Sequence, residues 1–144
     1  VSDPTIYLCA PKDVSMVKST GKESWFVLVN APRHEPETGW DWNNGGDEYS
    51  KMIIRKMDSL GLNVSNRLDF MTFRTPADLE RYAMAPGGSI YGTSSNSATS
   101  AFLRARNRSK VKGLFCVGGS AHPGGGLPLV GISAELVANA IGKA

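Results

Sequence analysis

The chain has 144 residues, with 16 Lys and Arg against 13 Asp and Glu, for a formal net charge of +3. That length suits one domain with enough chain to bury a core, and the charge is too mild to demand an acidic partner or a membrane surface, or to exclude either. Cys9 and Cys116 form no C-x-x-C, and His34 and His122 stand far apart, which argues against a disulfide scaffold or a metal centre.

Pro4–Pro11 (PTIYLCAP) predicts a strand bracketed by prolines, and Trp25–Asn30 (WFVLVN) a second, rich in aromatic and β-branched residues. The polar segment Lys12–Ser24 between them suits a loose hairpin, and both cysteines are expected as free thiols buried in apolar runs. Pro32–Gly46 carries Pro, Gly and Asn punctuation and predicts a loop. Its Trp40 and Trp42 either anchor that loop on the core or line an apolar substrate path; burial is what large aromatics mostly serve.

Asp47 is placed to cap a helix running to Leu60, with Gly61 as its stop. Tyr49, Met52, Ile53, Met57 and Leu60 recur at helical spacing and give that helix one apolar stripe. Arg67–Arg74 (RLDFMTFR) alternates as a strand would, with Leu68, Phe70 and Thr72 on one face and Met71 and Phe73 on the other. Thr75-Pro76-Ala77-Asp78 supplies an N-cap, a first-turn proline and an acid three residues on, opening a short helix to Ala83. Ala85–Ala101 is loop chemistry, rich in Gly, Ser, Thr and Asn. Arg104, Arg106, Arg108, Lys110 and Lys112 occupy every second position, so an extended chain would project all five from one face. Such a row either meets anionic lipid headgroups or protects a solvated sheet edge. Nucleic acid is disfavoured, because no stacking aromatics interleave with the cations.

The most informative stretch is Gly113–Gly142, GLFCVGGSAHPGGGLPLVGISAELVANAIG. Leu114–Val117 is an apolar run too short for a helix, as expected of a strand covered on both faces. Five of the nine residues Gly118–Gly126 are glycine, which lets backbone press against a ligand. A helix then runs over Pro128–Ile141, with Gly142 as its stop. A strand feeding a Gly-rich turn and a helix N-terminus makes a receptor for an anion or dipole. A tight connection that binds nothing is the alternative, and so dense a glycine cluster carries too much chain entropy for it. Neither G-x-G-x-x-G nor G-x-x-x-x-G-K-[ST] occurs. The final helix has two apolar tracks, one through Leu129, Ile132, Leu136 and Ala140, the other through Val130, Ala134, Val137 and Ile141. It needs enclosure on several sides.

VGGSAHPGGGLPLV, with NRSKVKG upstream of it (Asn107–Gly113) and TPADLERYAMAPGGSIYG (Thr75–Gly92) before that, resembles the C-terminal part of bacterial-type phytoene desaturases. These are FAD-dependent carotenoid dehydrogenases of the flavin amine-oxidase superfamily. The resemblance runs from about Pro4 onward and is strongest from Thr75. It implies a C-terminal fragment of a two-domain FAD-dependent oxidoreductase, since the N-terminal dinucleotide-binding motif is absent and Val1 is not an initiator methionine. The fold class expected is α/β (α+β). A mixed sheet would draw on Pro4–Pro11, Trp25–Asn30 and Arg67–Arg74, with Leu114–Val117 ending at the flavin loop and packed helices at Asp47–Leu60, Pro76–Ala83 and Pro128–Ile141. Residues 1–106 would belong to the substrate-binding domain, and 107–144 would complete the FAD-binding domain with the strand, loop and helix.

By the same resemblance the cofactor is FAD, held by Gly118, Gly119, Ser120, His122, Pro123, Gly124, Gly125, Gly126, Leu127 and Pro128. Gly118, Gly119 and Ser120 would touch the ribityl–pyrophosphate part. Glycines 124–126 would let the ring approach the backbone, and amides at the Leu127–Leu129 turn would face the charge that reduction places on the flavin. Many relatives in the wider superfamily carry an acid at the position of Ser120. His122 either polarises the flavin or braces the loop, and no catalytic acid or base is assigned. The implied reaction removes hydrogen from a C–C single bond of a lipophilic polyene, in an enzyme at the cytoplasmic face of a membrane as a peripheral protein. The fragment alone would be inactive and bind FAD weakly or not at all. Alternatives are a sister carotenoid or retinoid oxidoreductase (oxidase or saturase), or a non-catalytic interaction module retaining the fold. Absence of a nucleotide fingerprint favours the module for this chain; the GGSAHPGGGLP loop favours the enzyme for its parent. No metal and no nucleic-acid partner is expected, and the Asn63 and Asn107 glycosylation sequons are read as chance.

Overall fold

The computed structural model describes residues 2–13, 15, 21–92 and 104–142. The chain forms two compact units, Val1–Gly88 and Ser89–Ala144. In the first, β1 (Ile6–Cys9) and β2 (Phe26–Val29) pair antiparallel, with Ile6 opposite Val29 and Cys9 opposite Phe26. Both strands lie within the segments expected from their β-branched and aromatic content. Among the described residues the sheet stops at these two strands, so the expected mixed sheet is not formed.

Arg67–Arg74 is not a strand. The chain turns into it, Arg67 N–H donating to the Val64 carbonyl at 2.9 Å. Both faces of the alternating pattern are then left outside: Leu68, Met71 and Phe73 are exposed, and Phe70 is 82% exposed. Alternation makes a strand only where a neighbour supplies hydrogen bonds and one face is covered; neither condition is met here.

Helix α1 spans Trp42–Ser59 and begins five residues before the expected Asp47 start. Asp41 is the N-cap, its carboxylate accepting from the Asn43 amide at 3.0 Å. His34 adds a second acceptor, Trp42 N–H reaching its Nδ1 at 3.1 Å. Gly45 and Gly46 therefore lie inside the helix, where each costs roughly 0.5–1 kcal/mol relative to Ala. Gly46 has a packing reason: a Cβ there would stand 2.6 Å from Thr75 Cγ2 and 3.2 Å from the Phe73 ring. The far end closes as sequence predicts. Gly61, at φ 88, donates to the Asp58 carbonyl at 2.9 Å, and Leu62 donates to the Met57 carbonyl at 3.1 Å. That pair of bonds is the Schellman closure of a helix.

Trp42, Tyr49, Ile53, Met57, Val64 and Ala77 form the core of this unit, with Ile6, Leu8 and Val29 packed partly against it. The α1 stripe thus buries Tyr49, Ile53 and Met57, whereas Leu60, at the C-cap, is exposed. Trp42 is an anchor: its indole N–H donates to the Pro32 carbonyl at 2.8 Å, it stacks on Trp40 at 5.2 Å, and it meets Tyr49 edge-on at 4.9 Å. Burial raises the Tyr49 phenol above its ordinary value. Helix α2 (Pro76–Ala83) opens on a reciprocal capping box, Thr75 N–H to the Asp78 carboxylate at 2.8 Å and Asp78 N–H to Thr75 Oγ1 at 3.3 Å. The loop expected from Ala85 starts as a tight 3-10 turn, Pro86–Gly88. Gly88, at φ 68, is required there, since a Cβ would stand 1.9 Å from the Pro76 carbonyl oxygen. The rest of that loop from residue 93 to 101 lies outside the described residues, as do residues 14 and 16–20 of the β1–β2 connection.

In the second unit, helix α3 spans Leu127–Ile141, one residue longer at its start than expected. Leu114–Val117, expected as a strand covered on both faces, forms only one antiparallel bridge, Phe115 with Arg108. Leu114 and Val117 are exposed. The turn through Gly113 (φ 82) brings the run back beside Asn107–Ser109, where Cys116 N–H donates to the Asn107 carbonyl at 2.8 Å. A lone bridge leaves the other strand edge without a ladder partner among the described residues. Cys9 and Cys116 are free, and half-buried instead of fully buried.

Candidate functional site

The Gly-rich turn and the start of α3 are built around two polar side chains. Ser133 is 0% exposed although it sits on a helix of apolar residues. Its hydroxyl accepts the Gly118 N–H at 3.2 Å and the Asn107 side-chain amide at 2.9 Å. The same Asn107 amide also reaches the Cys116 carbonyl at 3.1 Å and the His122 carbonyl at 2.9 Å. Buried polar groups must find partners, and here three groups separated widely in sequence satisfy one another. Ala121 is buried beside them, in a parallel bridge with Ala105, and the His122 N–H donates to the Ala105 carbonyl at 2.9 Å.

Eight of the ten sequence-predicted residues fall in the bend between Val117 and α3, and the other two, Leu127 and Pro128, open α3. Gly118, at φ 115, has no atom within 4 Å of where a Cβ would stand, and Gly126, at φ 98, is equally open. Gly119 rests against the Cα of Gly125. Gly125 is covered: a Cβ there would stand 2.0 Å from the Tyr91 ring. Gly124 is buried beside the Arg104 guanidinium, and Pro123 is half-buried after a cis peptide bond. Ser120 is exposed, its carbonyl lying against Gly92. His122 is exposed too, and the bonds that hold it run through its backbone N–H and carbonyl, not its ring. Gly126 is the N-cap of α3 and no side chain caps the helix. Leu127 is 89% exposed, and Pro128 takes the second helical position. Apart from Pro128, which has no N–H, the first turn offers amide donors to whatever lies before it.

The local charge suits an electron-rich ligand. From Ser89 onward the sequence has six cations and one acid, Glu135, whereas the first unit has ten cations and twelve acids. Arg104 is the cation nearest the turn, donating to the Tyr91 carbonyl at 2.5 Å and the Gly119 carbonyl at 3.4 Å. The alternating cationic row does not present one face, however. Arg108 donates to the Ala140 carbonyl at 3.0 Å near the C-terminus of α3, where a cation complements the helix dipole, and lies over the Phe115 ring. The chain bends at Lys110–Gly113, so Lys110 and Lys112 leave the line. An open recess is lined by Arg106, Arg108, Ser109 and Lys110.

Sequence reasoning missed Asn107, Ser133, Tyr91 and Arg104. Ser133 carried a readable signal, a small polar residue in register with Val130 and Val137 on a mostly apolar helix. Asn107 opens NRSKVKG and Tyr91 lies in TPADLERYAMAPGGSIYG, segments that carry the resemblance, but nothing in the sequence singles out either residue within them. Among the described residues no group of three His, Cys, Asp or Glu side chains gathers as a metal centre would. No helix there is long and apolar enough to cross a membrane.

The sequence has relatives among known proteins. The chain is 37% identical over 142 residues to a 1-hydroxycarotenoid 3,4-desaturase from a Flavobacterium species, covering 96% of this chain and 28% of that protein. It is 32% identical over 138 residues to a hydroxyneurosporene desaturase of Rubrivivax gelatinosus, covering 95% of this chain and 26% of that one. A 4,4'-diapophytoene desaturase (4,4'-diaponeurosporene-forming) of Staphylococcus aureus is 30% identical over 148 residues, 98% of this chain and 29% of its own length. The chain therefore spans about three-tenths of the length of these curated relatives. No family model matches it.

Proposed function

We propose, from the premise that this chain is related to carotenoid desaturases along nearly its whole length, that it is the C-terminal portion of an FAD-dependent desaturase of carotenoid-like polyenes. Residues 1–106 would contribute to the substrate-binding domain, and 107–144 would complete the flavin-binding domain. The observation that carries the flavin assignment is the bend itself. Gly118 and Gly126 have no atom within 4 Å of where a Cβ would stand, and a helix N-terminus without a side-chain cap follows. These groups fit an electron-rich heterocycle or its phosphates, because backbone N–H donors and the helix dipole favour negative charge by about 0.3–1 kcal/mol, or up to ~2 kcal/mol when partly buried.

FAD, when bound, supplies the acceptor for the two hydrogens removed from the polyene. The chain's own part is positional. Gly118 leaves room beside its Cα, Gly119 and Ser120 present peptide N–H groups, Gly124–Gly126 allow close approach, and the amides of Leu127 and Leu129 face developing charge. Tyr91 over Gly125 sets one wall of the bend. His122, held through its backbone, acts as a brace. A lipophilic polyene substrate fits an enzyme resting peripherally on the cytoplasmic face of a membrane, and the rest of the same protein is the partner that covers α3. Leu127, Leu129, Ile132, Leu136 and Ile141 are exposed on that helix, a larger apolar surface than isolated exposed residues explain.

The reading is tested by expressing the longer protein and reconstituting it with FAD. A yellow protein with a flavin spectrum is expected, and this chain alone should bind FAD weakly or not at all. A full-length protein that stays colourless contradicts the enzyme reading and favours a non-catalytic interaction module.

A further inference from the structure

We propose that Asn107, acting with Ser133, is a positioning residue: its amide locks both ends of the Cys116–His122 bend so that the peptide N–H groups of Gly119 and Ser120 are presented to the flavin dinucleotide. The proposal rests on the flavin reading above and goes beyond it by assigning two residues outside the glycine motif.

The geometry is specific. One amide nitrogen, whose two N–H groups are shared among three acceptors, lies 3.1 Å from the Cys116 carbonyl, 2.9 Å from the His122 carbonyl and 2.9 Å from Ser133 Oγ. The two carbonyls enter and leave the bend, and the hydroxyl belongs to α3, so strand-like run, turn and helix meet at this group. Asn107 is itself fixed, its own carbonyl accepting from Cys116 N–H at 2.8 Å. Ser133 passes the constraint on by accepting the Gly118 N–H at 3.2 Å, which sets the direction of the first open peptide of the bend. Gly118 in turn accepts from Ala121 N–H at 3.1 Å, closing Gly118–Ala121 as a tight turn. Glycine leaves this turn little intrinsic preference of its own; without the amide, its peptides are free to reorient. Every acceptor facing Asn107 is an oxygen, so the site needs a donor. An aspartate of the same shape would set a carboxylate against two carbonyls.

That electrostatic requirement separates positioning by donation from simple space filling. In the full-length protein, Asn107→Asp, Asn107→Ala and Ser133→Ala are compared with wild type for FAD affinity, by quenching of flavin fluorescence, and for flavin midpoint potential. Folding of each variant is checked by far-UV circular dichroism. Asn107→Asp is expected to weaken FAD binding about tenfold or more, the order set by losing part-buried hydrogen bonds, and to be worse than Asn107→Ala despite its better fit. Ser133→Ala should weaken it several-fold and shift the potential. Wild-type affinity and potential in the variants, or an Asp variant milder than the Ala variant, would overturn the proposal. Should the Asn107 variants fail to fold, Ser133→Ala decides: unchanged affinity and potential in that variant count against it. A wild-type protein that binds no FAD is a separate failure, which removes the flavin reading and this proposal together.

Discussion

Helices α1 and α3 are of similar length and opposite design. α1 keeps a polar side, buries Tyr49, Ile53 and Met57 on the other, and has both ends closed by its own chain: Asp41 and His34 at the start, Gly61 and Leu62 at the finish. α3 buries only Ser133 and Val137, starts on a glycine without a side-chain cap, and exposes apolar residues over most of its girth. The contrast teaches that stability and function are divided along the chain. α1 is a finished piece of core, whereas α3 leaves Leu127, Ile132, Leu136 and Ile141 exposed. An apolar helix surface of that extent is otherwise a liability in water.

The largest effect that sharpens this contrast concerns truncations of apolar side chains. Met57→Ala, at a site 1% exposed, should cost about 2–5 kcal/mol in denaturant unfolding. Leu136→Ala on α3 should cost no more than about 0.5 kcal/mol in this chain alone, and about 2–5 kcal/mol in the longer protein, where the proposed reading has α3 covered. Equal small costs in both lengths of protein would break the claim that α3 is a covered helix.

A smaller effect changes sign between the helices. Gly46→Ala drives a Cβ to 2.6 Å from Thr75 Cγ2, on the residue whose hydroxyl caps α2. About 1–3 kcal/mol of destabilisation is expected. Gly131→Ala meets nothing within 4 Å on α3 and should stabilise this chain by about 0.5–1 kcal/mol. Thermal melts of the two variants check it.

The smallest effect is confined to acid pH and to the first unit. Ser65's hydroxyl foremost, with the Ser65 and Val64 amides, holds the Asp58 carboxyl below the ordinary aspartate value. The Thr75 amide, then its hydroxyl and Arg81, do the same for Asp78. A carboxylate with a lowered folded pKa favours the fold fully above its unfolded value, and the contribution fades as pH falls through the folded value. Melting temperature should therefore be flat above about pH 5 and decline below about pH 4, around the ordinary aspartate range. Asp58→Asn should flatten that decline, while the second unit, whose one acid is Glu135, contributes little to it.

How much was readable in advance follows the same division. Local chemistry announced the capping box at Thr75, the Gly61 stop, the paired strands and the bend before α3, because each is decided within a few residues. The start of α1 was hidden because Gly45-Gly46 reads as a loop, and only the approach of Thr75, distant in sequence, makes a glycine useful inside the helix. Arg67–Arg74 and Leu114–Val117 have strand composition without partners along most of their length, and composition cannot supply a partner. The glycine motif was legible, whereas its brace was not: Asn107 and Ser133 lie 26 positions apart and only the fold joins them.

Hydrogen exchange of the full-length protein with and without FAD tests the flavin-bend assignment most directly. The account predicts that added FAD slows exchange of the amides between Gly118 and Leu129, Leu127 and Leu129 included, while the Arg67–Arg74 segment exchanges as before. Bound flavin that leaves Gly118–Leu129 exchanging at its original rate would contradict it.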